Sequence, residues 1–426
     1  MLLRGARQVG KTFSLLELGK RCFQHVLYLN FEERPELSHL FDRFDPKAIT
    51  DNASLLTETP VVLGKTLFLL DEIQECPRAI TALRYFQEKM PELHVAGAGS
   101  LMEFVLRSES FRMPVGRVQS LWMYPLTFAE FLTVGNHASL REHLHTISPG
   151  PTENTLDPLL QQELDKQLGL YLRLGGMPRV LKAHCDGTSL LDIQSLQTSL
   201  LQTFRQDFGK YASLAKHKYL QEVFTTAPRM VGKRYKFAHI NPDTPSRDIK
   251  EALSLLSAIQ CVTVVCHASG HGVPLAAERN NKKFKILFLD VGLMQRALGR
   301  EFHDAVLPLS PFHEGPLAEQ FVGQELLAHG SPLEEPGLYF WARDEKNSSA
   351  EVDYLVQKGE TVFPVEVKSG KTGTLKSMKQ FLKEHPKSPW GFRFSTHSPS
   401  FHDGILSLPF CMVEEWRRLG SSVGIQ

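Results

Sequence analysis

Gly5-Ala6-Arg7-Gln8-Val9-Gly10-Lys11-Thr12 has the spacing GxxxxGK[ST], and Leu67-Phe68-Leu69-Leu70-Asp71-Glu72 follows as an apolar run ending in two carboxylates. Together they are the equipment for handling ATP with Mg²⁺. Successive backbone N–H groups and a helix N-terminus would cradle phosphate, with Lys11 on the outer phosphates and the Thr12 hydroxyl on the metal. Asp71 would hold the same ion. Glu72, one residue on, is placed to orient or polarise an attacking water, which hydrolysis needs beyond binding. The octapeptide alone also describes a glycine-marked surface turn, but its setting favours the nucleotide loop: Ser14 to Arg21 continues as a helix, and His25 to Phe31 and Thr66 to Leu70 read as buried strands.

A second set of charged residues lies towards the C-terminus. Ala350 to Val356 and Val362 to Lys368 read as two strands across a turn at Lys358-Gly359, which would bring Asp353 near Glu366 and Lys368. Side chains alternate along a strand, so Glu366 and Lys368 share a face. Two carboxylates converging with a lysine suit Mg²⁺-assisted phosphodiester hydrolysis, the acids holding metal and the lysine positioning water or stabilising developing charge. Glu319, in a helix expected from Pro316 to His329, would add a third carboxylate. The competing reading is a hairpin whose charges pair across strands. Against it, Asp353 and Glu366 are embedded in apolar strands, and a buried carboxylate wants a metal or a paired cation.

Several elements must position these groups. The strand feeding the loop is represented by Met1-Leu2-Leu3-Arg4 alone, so either sequence precedes it or a segment that often packs on the adenine ring is missing, with weaker nucleotide binding as the consequence. A helix is expected over Pro77 to Lys89 and a strand from Leu93, ending in small residues at Ala96-Gly97-Ala98-Gly99-Ser100. Ser100 would contact the γ-phosphate or the water, or cap a helix over Leu101 to Arg107; the roles are compatible. Arg117, in a stretch that reads as strand, turn and helix over 113–131, is either a phosphate-sensing or intersubunit arginine or a residue paired with a surface carboxylate.

These signals divide the chain into an α/β nucleotide core at 1–145, a helical lid at 159–211 broken at Gly175-Gly176-Met177-Pro178, a winged-helix-like region at 212–300 and an α/β domain at 310–426. The 212–300 region carries a basic stretch, Arg229 to Lys236, that would dock on a DNA groove or form the solvated rim of a packing module. At 426 residues, about two to four domains are expected. A net charge of +1 leaves nucleic-acid contact to local patches. Six scattered cysteines without zinc-ligand spacing fit reduced thiols, and the absence of a long apolar run argues against a membrane span; both point to a cytoplasmic setting.

Taken in order, these features resemble the bacterial and archaeal AAA-type ATPases that carry a C-terminal domain similar to PD-(D/E)XK nucleases. The carrying residues are Gly5 to Thr12, Leu70-Asp71-Glu72-Ile73-Gln74, Gly116-Arg117 with Pro125 to Phe131, Gly175 to Pro178, Asp290-Val291-Gly292-Leu293, and Glu351-Val352-Asp353 with Glu366-Val367-Lys368. The resemblance implies a P-loop NTPase core of AAA type, a winged-helix-like middle and a nuclease-like end. It departs from the family at the sensor position, usually threonine-glycine-serine. The leading expectation is an ATP-hydrolysing switch controlling a Mg²⁺-dependent domain that acts on or binds DNA. The alternatives are a non-catalytic ATP-dependent regulatory protein with a degenerate nuclease fold and, third, an AAA-type protein remodeller working as a homo-oligomeric ring.

Overall fold

The computed structural model describes residues 1–100, 116–148, 156–210, 214–235, 237, 240, 244–301, 315–343, 350–370 and 374–422. They form two compact units, one of Met1–Tyr124 with Ala258–Gln260 and Ser331–Glu335, the other of Pro125–Ser257, Cys261–Gly330 and Pro336–Gln426. The helix expected over Leu101 to Arg107 lies outside the described residues.

In the first unit, β1 (Leu2–Gly5), α1 (Lys11–Cys22), β2 (His25–Asn30), α2 (Pro46–Thr57), β3 (Thr66–Asp71), α3 (Pro77–Lys89), β4 (His94–Ala98) and β5 (Ser120–Met123) follow one another. The strands make one parallel sheet in the order β2-β3-β4-β1-β5. Alternation along each strand builds two cores. Leu2, Phe68 and Leu70 pack on one face with Leu27, Leu29 and Phe86, while Leu3, Leu67 and Leu69 pack on the other with Leu15, Ala96 and Ala98. The β1 strand, which runs into the first glycine of the loop, is hydrogen-bonded between β4 and β5. The β4 strand lies between β3 and β1, so the tips of all three converge on the loop.

The second unit opens with helices: α4 (Phe128–Val134), α5 (Ala138–Thr146), α6 (Pro158–Leu174), α7 (Pro178–Cys185), α8 (Leu190–Asp207), α9 (Leu214–Met230) and α10 (Ser246–Ala258). Local caps set their starts. Thr127 and Glu130 form a capping box at α4, and Ser189 accepts the Asp192 N–H at α8. Next come β6 (Val262–Ala268), β7 (Arg279–Phe288), α11 (Val291–Ala297), α12 (Gly315–Ala328), β8 (Tyr339–Ala342), β9 (Glu351–Lys358), β10 (Thr361–Val367), α13 (Lys376–Glu384), β11 (Gly391–Ser395), β12 (Ser400–His402), β13 (Ile405–Pro409) and α14 (Trp416–Ser422). A mixed sheet runs β12-β13-β11-β10-β9-β8-β6-β7.

The expected winged-helix region, 212–300, does supply helix, helix and strand in that order, but β6 and β7 do not stand apart as a wing. The β6 strand pairs in parallel with β8, Cys266 opposite Tyr339, so one hydrogen-bonded sheet crosses the expected boundary between 212–300 and 310–426. The cause is the open strand edge: β6 satisfies its backbone groups on β8 rather than leaving them to water. No helix among the described residues is long and apolar enough to cross a membrane. The six cysteines are free thiols.

Three motif segments meet in one junction. The Asp290 carboxylate accepts the Leu293 N–H (2.9 Å), capping α11, and the Gly176 N–H (2.7 Å), while Leu126 N donates to Gly176 O (2.8 Å). Burial pushes the Asp290 carboxyl up to about 6, opposed by the N–H groups of Leu293, Gly176 and Gly292. A Cβ on Gly176 would stand 1.9 Å from Leu126 O, and one on Gly292 2.5 Å from Leu174 O. Backbone atoms cannot give way as a flexible side-chain end can. Gly176→Ala and Gly292→Ala are each expected to lower stability by about 1–3 kcal/mol, read as a shifted midpoint in urea unfolding; unchanged midpoints would show that this junction tolerates displacement.

Candidate functional site

At the first site, β1 ends on Gly5 and α1 begins at Lys11, so the glycine-rich turn occupies the N-terminus of a helix. Gly10 takes φ 97°, a left-handed conformation that spares glycine the usual steric cost, and turns the first N–H groups of α1 towards the loop. The Lys11 ammonium is buried and donates to Gly5 O (3.0 Å) and Ala6 O (2.7 Å) of its own loop. Burial pulls Lys11 down to about 8, while Glu72 and Asp71 push it up and Arg7 pulls it down. The Arg7 guanidinium lies 3.8 Å from Glu32.

Thr12 Oγ1 lies 3.0 Å from each Asp71 oxygen, joining the end of the loop to the end of β3. A hydroxyl and a carboxylate are hard oxygen donors, and this pair fits Mg²⁺. The Tyr28 hydroxyl on β2 donates to Asp71 Oδ2 (2.8 Å) and accepts from Asn30 Nδ2 (3.1 Å), which holds the carboxylate in place. Burial and the Asp71 bond push Tyr28 up to about 12. Glu72 adopts φ 47° and ψ 44°, which costs a non-glycine residue about 1–2 kcal/mol. Two bonds hold it there: Gln74 Nε2 donates to Glu72 Oε2 (2.6 Å), and Glu75 N donates to Glu72 O (2.9 Å). Burial raises the Glu72 carboxyl above its ordinary value, against the Gln74 bond.

The second site is built on β9, β10, α12 and β7. The hairpin has the expected form, Val365 opposite Tyr354, and Val367 N donates to Asp353 Oδ2 (2.8 Å). Lys368 Nζ lies 2.5 Å from Glu366 Oε1. Glu366 is buried, and its Oε2 has no hydrogen-bond partner among the described residues. The centre of the cluster is a residue the sequence reading passed over. Lys285 of β7, only 3% exposed, places its ammonium 2.5 Å from Glu351, 3.4 Å from Glu319 and 3.6 Å from Asp353. Arg234, from the basic stretch read as either a DNA-docking surface or the solvated rim of a packing module, bonds Glu351 Oε2 (2.7 Å).

Electrostatics follow from that geometry. Burial lowers Lys285, but Glu319, Asp353 and Glu351 together drive it above the ordinary lysine value. Glu351 is lowered overall, its burial outweighed by Lys285 and Arg234. Burial with Asp353 nearby pushes Glu319 and Glu366 up to about 7. All the acidic donors are hard oxygens, as Mg²⁺ prefers, yet an ammonium already stands among three of them. A divalent ion does not fit together with Lys285. Among the described residues, His145, Glu414 and Glu415 do bring three ligand atoms within 4.8 Å of one another, but Arg141 bonds Glu414 and Arg418 bonds Glu415, which makes that group an ion-pair network.

Residues 1–132 match the family described as AAA domain. The chain therefore carries an AAA-type, ATP-binding core. Residues 165–304 match a domain of unknown function (DUF8612) and residues 314–411 another (DUF4143); neither description assigns an activity. No curated protein matches the chain. Solved structures similar to it include the Aeropyrum pernix ORC1 protein in complex with DNA (14% identity, 70% of this chain and 85% of that one, TM-score 0.31). The Aeropyrum pernix ORC2 protein in ADPNP–ADP complexes (12%, 70% and 86%, 0.32) and CDC6P from Pyrobaculum aerophilum (11%, 70% and 87%, 0.23) are others.

Within the AAA domain, Ser100 is buried two residues beyond the end of β4, the strand that lies between β1 and β3. Arg117 is different. It precedes β5, whose far end, Met123, is the part beside Gly5, so it sits at the sheet edge opposite the loop and pairs with Glu88 (3.3 Å). Within this unit that position is away from the loop, and the carboxylate pairing is the alternative the geometry supplies. Tyr28 and Gln74 join the AAA site without having been singled out for it; a polar residue in a buried strand, and a glutamine two past the glutamate, were the available signals.

The two raised carboxyls give the second site a pH signature. Between the ordinary glutamate value of 4.5 and about 7, folded Glu319 and Glu366 hold protons that the unfolded chain releases. Their contribution to stability is full below that window and is lost as pH rises through about 7. Thermal unfolding across it should show stability falling with pH, and Glu366→Gln should flatten part of the slope; an unaltered slope would mean that Glu366 titrates normally.

Proposed function

We propose that this chain is an ATP-hydrolysing switch whose nucleotide state controls a C-terminal nuclease-like domain that binds or acts on DNA. The observation that carries the first half is the Thr12–Asp71 link at 3.0 Å, with Lys11 buried in the loop and Glu72 one residue beyond. In this reading a triphosphate takes over the Lys11 ammonium from the Gly5 and Ala6 carbonyls. Thr12 and Asp71 would hold Mg²⁺, which would neutralise phosphate charge. Glu72, oriented by Gln74, accepts the proton of the attacking water, and Ser100 contacts the γ-phosphate or that water. The AAA family match supports the binding half of this assignment.

Support for the second half is the gathering of Asp353, Glu366 and Lys368 on one hairpin, with Glu319 added by α12. One observation favours the alternative, an ATP-dependent binding protein with a degenerate nuclease fold: Lys285 already neutralises the carboxylates.

Phosphate release measures the switch. Lys11→Ala should fall to background, and Glu72→Gln should lose about 10²–10⁴-fold in turnover while still binding ATP; equal release by wild type and Lys11→Ala would refute ATP hydrolysis. Metal-dependent plasmid nicking that disappears in Asp353→Ala would establish the nuclease, and its absence over a broad range of metals and salt would leave the binding reading.

A further inference from the structure

We propose that Lys285 is the resident counter-cation of the C-terminal carboxylate centre and excludes divalent metal from it, so that the site accepts such an ion only when this ammonium is withdrawn. The inference rests on reading Glu319, Asp353 and Glu366 as a nuclease-like ligand set, and it changes what that set holds.

Four observations converge. First, the Lys285 side chain comes from β7 and not from the hairpin that carries Asp353 and Glu366, yet its Nζ reaches Glu351 at 2.5 Å, Glu319 at 3.4 Å and Asp353 at 3.6 Å. Second, the ammonium is enclosed: Lys285 is 3% exposed, flanked by buried Phe284 and Ile286, with its Nζ 5.5 Å from the centroid of the buried Phe340 ring. A lysine that far from water is held by its anions and has no solvated position to relax into. Third, the anions are organised around it. Arg234 fixes the other side of Glu351, Val367 N fixes Asp353, and a Cβ added at Gly232, two residues before Arg234, would stand 3.2 Å from Glu319 Oε1. Fourth, Glu366 Oε2 is buried and has no hydrogen-bond partner among the described residues.

An ammonium and a divalent ion in the same ring of carboxylates repel at a few ångströms, and in a site this dry the repulsion is poorly screened. Metal entry therefore requires either that β7 carry Lys285 away or that the lysine be removed by substitution. The unpartnered Glu366 oxygen is then available as a ligand.

The direct measurement is Mn²⁺ binding by electron paramagnetic resonance on the full chain, without nucleotide and in a Thr12→Ala background that removes the hydroxyl ligand of the loop. The expected result is no binding at this centre in the parent and, in Lys285→Met, binding at least about 100-fold tighter that is abolished by adding Asp353→Asn. Because Lys285→Met could fail to fold with its carboxylates unpaired, Lys285→Met with Glu351→Gln removes one charge of each sign and is read in the same way. Equal, Asp353-dependent Mn²⁺ binding with and without Lys285 would overturn the inference while favouring the metal-dependent nuclease reading. No binding in either folded lysine variant would overturn it too, reducing the cluster to an ion-pair network, and would leave the ATPase assignment untouched.

Discussion

Polar groups taken out of water must find partners inside the protein, and helix α12 puts that demand at the centre of the second unit. From Leu317 to Leu327 nearly every position is buried, including Gln320, Gln324 and Glu325. Each is answered. Gln320 both accepts from Phe288 N and donates to Phe288 O, Gln324 accepts from Val291 N and donates to the Tyr171 hydroxyl, and Glu325 accepts from Phe128 N. The helix is thereby tied to the end of β7, the start of α11, α6 and the start of α4. Removing one partner would strand a buried acceptor or donor at about 1–3 kcal/mol, so the register of α12 is fixed from several directions. That register is what aims Glu319 at Lys285.

The same requirement explains why the carboxylate centre is arranged around a lysine. A buried cation is tolerated when anions surround it, and buried anions are tolerated when a cation is among them; each makes the other admissible. In the AAA domain the problem is solved with smaller parts. Asp71 is satisfied by two hydroxyls, from Thr12 and Tyr28, and Glu72 by the amide of Gln74. Its left-handed backbone stores strain where the chemistry is proposed to occur, a pattern of residues held by their surroundings in a conformation they would not choose alone.

Much of this was legible in the order of residues. The phosphate loop, the acidic end of β3, the break at Gly175 to Pro178 and the hairpin bearing Asp353 and Glu366 all follow from local rules of spacing and alternation. The α3 helix has the bounds its pattern suggested, Pro77 to Lys89. Less legible were features set by distant neighbours. Phe284 to Phe288 reads as an apolar strand with one lysine in it, and nothing local says that the lysine faces acids from Glu319 and Glu351, which lie far along the chain. Arg234 looked like part of a basic surface for the same reason.

Sequence alone determined which reactive groups each candidate site has to offer, because the types and short-range spacing of Gly5 to Thr12, Asp71-Glu72 and Glu366-Val367-Lys368 are fixed by the chain and survive any packing. Tertiary structure alone decided which charges meet. Strand pairing carried β6 and β7 into the C-terminal sheet, brought the Lys285 ammonium to Glu351, and left Arg117 at the edge away from the loop. Hydrogen bonding between strands acts over any sequence separation, and a side chain's partner across a sheet is not written in its neighbours.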